Sequence, residues 1–367
     1  IFIGGLIVDN WNNAYPIISE APFGLKGWQV AFMAVGIPGM LLALLTWQIK
    51  EPPRGLSEGL ISSESKNPLK ETFKELVGLT PFGLVGSDNF KKELFVNIIF
   101  TVLIFLASYY LYVLTGDFLQ WTAFGIGVYV ICNWIHGLKN RDPVAFLLMF
   151  KSKALLLGLL SFPFITFVTY ALGAFGPSFY IRNFSMTATE VGIIYGLITV
   201  FGSMIGVICG GILGDKLRET YVNGKLYLIM ASAVLTGVTA IGFIHSENLV
   251  ASFTWKFVYH IASTAWLGCA ASTVTELVLP RLRAVASAFF ILMLSMIGLA
   301  LGPYLTGMVS DIYINSGLLP GPALKNAMTL TLVVLVLPFG LLAVACKYLK
   351  NDEAEIYEKA RSLGEEI

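Results

Sequence analysis

The sequence predicts an all-α polytopic membrane protein, with about nine full transmembrane helices and the tail of another at its start. Three observations carry that prediction. Of 367 residues, 56% are hydrophobic and only 13% are charged, about half the roughly 25% charge of an average soluble domain. Mean hydropathy is +0.76. The apolar residues also fall in runs near the roughly 20 residues needed to cross about 30 Å of hydrocarbon. A surface this poor in charge excludes soluble dehydrogenases, kinases, nucleases and DNA-binding folds. The net charge of +1 points to no nucleic-acid or other polyionic partner.

Taken in order, residues 1–8 read as the end of a helix. Full spans follow near 28–49, 94–114, 118–138, 153–175, 191–213, 226–244, 250–278, 285–309 and 328–348. Each must be helical, because an unpaired amide in lipid costs several kcal/mol. The chain opens at Ile1 inside an apolar stretch, without an initiator Met, and is expected to be a truncated product. Residues 51–93 form a polar linker with Pro52, Pro53, Ser62, Ser63 and Ser65. Within it, Leu69, Phe73, Leu76 and Val77 share one face of a short helix, while Lys70, Glu71, Lys74 and Glu75 lie elsewhere. That pattern fits a helix on the membrane surface or a solvated linker helix. Residues 94–140 form a transmembrane hairpin, 141–350 hold six spans, and 351–367 read as a soluble helical tail. Cys132, Cys209, Cys269 and Cys346 each lie in an apolar run and are expected to be buried free thiols.

Basic residues set the expected orientation. With the 51–93 linker inside and the spans alternating, twenty Lys and Arg fall on the cytoplasmic side. Three, Lys26, Arg182 and Lys325, fall outside, and Lys256 falls within a span. This positive-inside asymmetry would collapse if one span were miscounted. It predicts an integral protein of the cell (inner or plasma) membrane with a cytoplasmic C-terminus.

Three stretches carry a family resemblance. The first is Gly27-Trp28-Gln29-Val30-Ala31-Phe32, with Gly36-Ile37-Pro38-Gly39 and Glu51-Pro52-Pro53-Arg54-Gly55. The second runs from Tyr170 through Phe175-Gly176-Pro177-Ser178-Phe179 and Arg182 to Gly210-Gly211-Ile212-Leu213-Gly214-Asp215-Lys216-Leu217. The third is Pro280-Arg281-Leu282-Arg283-Ala284-Val285-Ala286-Ser287-Ala288, with Gly298-Leu299-Ala300-Leu301-Gly302-Pro303 and Gly307-Met308-Val309-Ser310-Asp311. Together they resemble the major facilitator superfamily, and within it the spinster-like (sphingolipid-transporter-like) branch. The resemblance implies that 1–50 is the end of an N-terminal transporter half, carrying remnants of family helices five and six. It implies that 141–350 is the C-terminal six-helix half, helices seven to twelve, and that the first four family helices are absent. The hairpin at 94–140 is then a two-helix insert between the halves, as in fourteen-helix members.

Several residues stand out as candidates. Gly202, Gly206, Gly210 and Gly214 recur every four residues on one helix face. Such a face suits close helix packing, or a surface on which a helix slides during transport. Asp215, Lys216 and Arg218 sit at the cytoplasmic end of that helix, and Glu276 and Arg283 flank the turn at Pro280. By resemblance, 211–218 is the cytoplasmic gating loop, and these five charges form a candidate gate. Interfacial charges that only set topology are the alternative. Lys256, His260 and Thr264 fall at i, i+4 and i+8, so they share one face. An intramembrane cation is costly and marks a candidate functional site. That face could line a water-filled central cavity, bind an anionic headgroup or take part in proton coupling, or it could be a snorkelling Lys and a hydrogen-bonded His. Tyr170 and Trp266 lie deep enough to join such a cavity. Pro163 and Pro177 suggest a kinked helix.

The sequence has no G-x-x-x-x-G-K-[ST], no H-E-x-x-H, no G-x-S-x-G and no Cys/His ligand cluster. It therefore predicts no enzyme, no cofactor and no metal. The expected function is a secondary active transporter working by alternating access. Its partners would be the bilayer, a small-molecule or lipid-like substrate such as a lysolipid or organic anion, and protons if the transport is coupled. No nucleic acid is expected. The family's coupling carboxylates belong to the absent helices, so no residue here receives that role. A non-transporting scaffold or receptor, or a superfamily transporter of sugars or drugs, stays open as the alternative.

Overall fold

With no water in the hydrocarbon to satisfy them, backbone amides must bond within their own helix. A computed structural model describes residues 2–50, 67–80 and 90–362, and among these every regular element is helical. Residues 51–66, with the Pro and Ser cluster and the Glu51–Gly55 motif, lie outside the described residues, as do 81–89 and 363–367.

Eight helical rods are long and apolar enough to cross a membrane. They are α2 (Gly27–Thr46), α4 (Phe90–Thr115), α5 (Phe118–Arg141), α7 (Lys153–Phe184), α8 (Ala188–Thr220), α9 (Gly224–His245), and two composite rods, Pro280–Asn315 and Pro320–Ala345. A ninth, α10 (Leu249–Glu276), has 28 residues and packs against both α8 and α9. Its Lys256, His260 and hydroxyl side chains keep it out of the most apolar set. The span count therefore matches the sequence reading. The first helix, α1 (Phe2–Ala14), has 13 residues and packs on α2 and α8. A short helix, α3 (Pro68–Gly78), occupies the amphipathic stretch of the linker.

The two composite rods are not uniform. The first joins α11 (Arg283–Met293), a π-helical turn at Leu294–Leu299, and α12 (Ala300–Asn315). The second joins α13 (Pro320–Thr331), a tighter 3-10 turn at Leu332–Leu335, and α14 (Val336–Ala345). Between α4 and α5 the chain reverses at Gly116, whose φ of 81° is a left-handed conformation that favours glycine.

Helices α7 to α14 pack into one bundle with two apolar centres. One centre lies toward the start of α7 around Leu155, Phe162, Trp266 and Phe290; the other lies toward its end around Tyr180, Phe243 and Tyr259. Four details differ from the sequence reading. Helix α7 runs unbroken through Pro163 and Pro177 for 32 residues. Helix α8 continues to Thr220, so 211–218 is helix rather than loop. A nine-residue helix, α6 (Pro143–Lys151), buries Ala145, Leu148 and Met149 where only a connection was expected. The tail helix α15 (Leu349–Ser362) is docked rather than free, with Ile356 in the first apolar centre. All four cysteines are free, but of the four expected to be buried only Cys269 is; Cys132 and Cys346 are half-buried and Cys209 is exposed.

Candidate functional site

The charged ends of several helices meet at one end of the bundle. A lysine in the first turn of a helix opposes the helix dipole and needs a partner. Lys225, one residue into α9 and only 7% exposed, has two. Its ammonium pairs with the Glu276 carboxylate at the end of α10, and lies 3.8 Å from Asp215 Oδ1 near the end of α8. One buried cation thus holds three helix ends together. Sequence reasoning passed over Lys225, counting it only for topology; its place in a helix first turn was the available signal.

The expected neighbours of Glu276 are arranged differently. Arg283 turns its Nε–H to the Thr275 carbonyl, 3.1 Å away. Arg218 forms a two-oxygen pair with Glu353 of α15 at 2.6 Å. Lys216 projects from the same region of α8 and is exposed. Next to Glu353, the buried Asp352 accepts hydrogen bonds from Ala154 N at 2.8 Å and Ser152 Oγ at 2.9 Å, closing the start of α7. The tail helix therefore ties the start of α7 to the end of α8.

The glycine face of α8 lies along α10. A Cβ on Gly202 would sit 2.7 Å from His260 Cβ; on Gly206 it would strike the Ile261 carbonyl, on Gly210 the Ala265 backbone, and on Gly214 Cys269 Sγ. Backbones this close can be approached only by residues without side chains.

Lys256, His260 and Thr264 do share a face, but it points into the α8–α9–α10 interior rather than an open cavity. Lys256 is 0% exposed. Its Nζ lies 4.2 Å from the Phe243 ring centroid, 4.4 Å from Tyr259 and 5.0 Å from Tyr195, with no hydrogen-bond partner among the described residues. Three aromatic faces thus stand in for the water a snorkelling ammonium would reach. His260 Nε2 pairs with Thr199 Oγ1 at 3.1 Å, and Thr264 donates to the His260 carbonyl at 2.7 Å. Trp266 is buried too, stacked on Phe162 and donating to the Ser263 carbonyl at 2.9 Å. Of the five cavity candidates, Tyr170 alone is exposed, at 43%, near the middle of α7 on a face with Gly173 and Ala174.

Among the described residues no group of His, Cys, Asp and Glu is placed to hold a metal ion. Among the described residues, eight rods apolar enough to cross a membrane, the more polar α10 packed among them, a closed charge cluster at one bundle end and an open mid-span tyrosine define a polytopic helical membrane protein. Comparison with known proteins narrows that class. No family model matches the chain. An MFS-type efflux pump of Mycolicibacterium smegmatis is 30% identical over 201 residues, which are 54% of this chain and 45% of the pump. Protein spinster of Drosophila melanogaster is 26% identical over 173 residues, 44% of this chain and 28% of that protein. Protein spinster homolog 3 of Homo sapiens is 24% identical over 212 residues, 53% of this chain and 41% of that protein. The chain thus spans less than half the length of these relatives. A solved bacterial homologue of the human lysosomal transporter spinster, in its inward-facing occupied conformation, superposes with a TM-score of 0.43 at 22% identity. That match covers 66% of this chain and 58% of the other. By sequence, about half of the chain is similar to an MFS-type efflux pump and to spinster proteins.

Proposed function

We propose that this chain is part of a secondary transporter that works by alternating access. Its substrate in this reading is a small amphiphile or organic anion such as a lysolipid, and protons are the candidate coupling ion. The observation that carries the reading is the Lys225 ammonium held between carboxylates at the ends of α8 and α10. Such a cluster latches one conformer and is released when those ends part. In the same reading the charged bundle end and the C-terminus face the cytoplasm, supported by the twenty-to-three distribution of basic residues. Residues 141–350 then act as one transporter half, residues 1–50 belong to the other, and 94–140 is an insert. Tyr170 is the residue of this half proposed to face the transport path. Lys256 and His260 act from within the half, by holding α8, α9 and α10 together, rather than by touching substrate. The efflux pump among the relatives supports a transport role.

The test is flux. The full-length protein is reconstituted in liposomes and offered lysolipids, organic anions, sugars and cationic drugs, with and without a pH gradient. Uptake of a lysolipid or organic anion that the Glu276→Ala variant impairs supports the proposal. Uptake of sugars or drugs alone moves the substrate class. No flux of any class would leave a scaffold or receptor.

A further inference from the structure

An α-helix is weakest where its hydrogen-bond ladder is interrupted. The Pro280–Asn315 rod has two such places close together. The π-helical turn at Leu294–Leu299 widens the ladder. Pro303 follows, lacking an amide hydrogen for the Leu299 carbonyl and crowding it. On one side the rod is supported by α7, where a Cβ on Gly298 would sit 2.7 Å from Thr166 Cβ.

The other side is supported by the hairpin. Helix α5 runs antiparallel to the rod, and their residue numbers change in opposite directions at a nearly constant register. At one end Arg281 Nη1 meets Asp142 Oδ2 at 2.6 Å. Phe289 then stacks on Trp134 at 5.2 Å between centroids. At the π-turn, Met296 lies so close to Gly127 that a Cβ there would be 2.6 Å from its sulfur. Just past the turn, Gln120 Nε2 donates to the Ala300 carbonyl at 3.2 Å. Beyond Pro303, Tyr304 donates to Asp117 Oδ2 at 2.6 Å and meets the Trp121 ring edge-on at 5.4 Å. Three of the five rungs fall between 296 and 304, where the ladder is interrupted. Asn133 on α5 also donates to the Gly78 and Thr80 carbonyls at 3.0 and 3.1 Å, joining the end of α3 to the same body.

We propose that the α4–α5 hairpin is a splint for the Pro280–Asn315 rod. It moves as one body with the rod and limits how far the rod bends at 294–303. The inference does not depend on transport and holds for a scaffold as well.

The test is amide hydrogen exchange of the full chain in lipid nanodiscs, read by mass spectrometry. Gly127→Phe wedges a ring between the hairpin and Met296 without changing any residue of the rod. Exchange across 294–303 rises about tenfold while α9 stays unchanged, as expected for a local opening. Adding Met296→Ala, which makes room for the ring, brings exchange back toward the parent. If Gly127→Phe fails to assemble, Gln120→Ala with Tyr304→Phe removes two polar rungs without adding bulk. That pair gives a smaller rise, about threefold, in the same segment. A rise spread evenly over α7 to α14, or no rise in either variant, would make the hairpin a passenger and overturn the proposal.

Discussion

Helices α2 and α7 are almost equally apolar, yet the protein treats them in opposite ways. In the most apolar 18-residue window of α7, 67% of residues are buried inside the protein; in that of α2 none are. Helix α7 is surrounded by α12, α13, α14 and the π-turn, whereas the main partner of α2 among the described residues is α1. An apolar run therefore reports that a helix belongs in lipid, but not which of the described helices will cover it. Between helices that lipid solvates equally well, shape and polar pairing decide packing.

Glycine substitutions break this comparison most sharply. Gly210→Leu sets a side chain against the Ala265 backbone, which cannot move aside as a flexible side chain could. It is expected to cost about 3 kcal/mol or more, or to prevent assembly. Gly39→Leu on α2 meets nothing within 4 Å, and is expected to change stability by less than about 0.5 kcal/mol. Thermal unfolding in detergent, followed by size-exclusion chromatography, measures both. Equal losses would mean that α2 is packed as tightly as the α8–α10 seam.

The latch comes next in size. Glu276→Ala leaves the Lys225 ammonium, only 7% exposed, with Asp215 at 3.8 Å as its remaining carboxylate. About 2 kcal/mol of stability is expected to go. Lys225→Met together with Glu276→Leu removes both charges and is expected to recover most of it. A double variant as unstable as the single one would assign the loss to packing.

Lys256→Met should act in the other direction. It removes a fully buried ammonium that has aromatic faces but no carboxylate. A gain of about 1 kcal/mol in stability is expected. A loss would mean that the three rings offset the whole desolvation cost.

The smallest expected effect is at the foot of the splint. Burial alone would raise the Asp142 carboxyl. The Arg281 hydrogen bond and charge, with the Ala145 and Val144 amides, outweigh burial and hold it below the usual carboxylate range. A depressed carboxylate stabilises the fold above its unfolded pKa, about 3.9, and loses that contribution as pH falls through its lower folded value. The pair is about a third exposed, which limits it to less than about 1 kcal/mol. Asp142→Asn is therefore expected to lower the unfolding temperature slightly at pH 7, with parent and variant converging as acidification protonates the folded carboxylate. A gap that stays constant on acidification would remove the charge from the explanation.

The α2–α7 contrast also marks where sequence reading stops. Span number and the glycine face were legible because both are periodic along one helix. The identity of the facing surface was not. Period four put Lys256, His260 and Thr264 on one side of α10 but could not say that Tyr195 and Phe243, from α8 and α9, would enclose the ammonium. The Lys225 latch joins three helices, and the Trp134–Phe289 and Gln120–Ala300 rungs join residues more than 150 apart, so no local pattern announces them. Helix α6 escaped notice because nine residues are too short for a span, although three of them are buried.

Alternating access is tested most directly at Tyr170, an exposed position near the middle of α7. The four native cysteines of the full-length protein are replaced, Tyr170→Cys is introduced, and a membrane-impermeant thiol reagent is applied to each face of sealed vesicles in turn. Labelling from both faces is the expected result, because a residue on the transport path opens first to one side and then to the other. Labelling from neither face would place Tyr170 against lipid and contradict the transporter proposal.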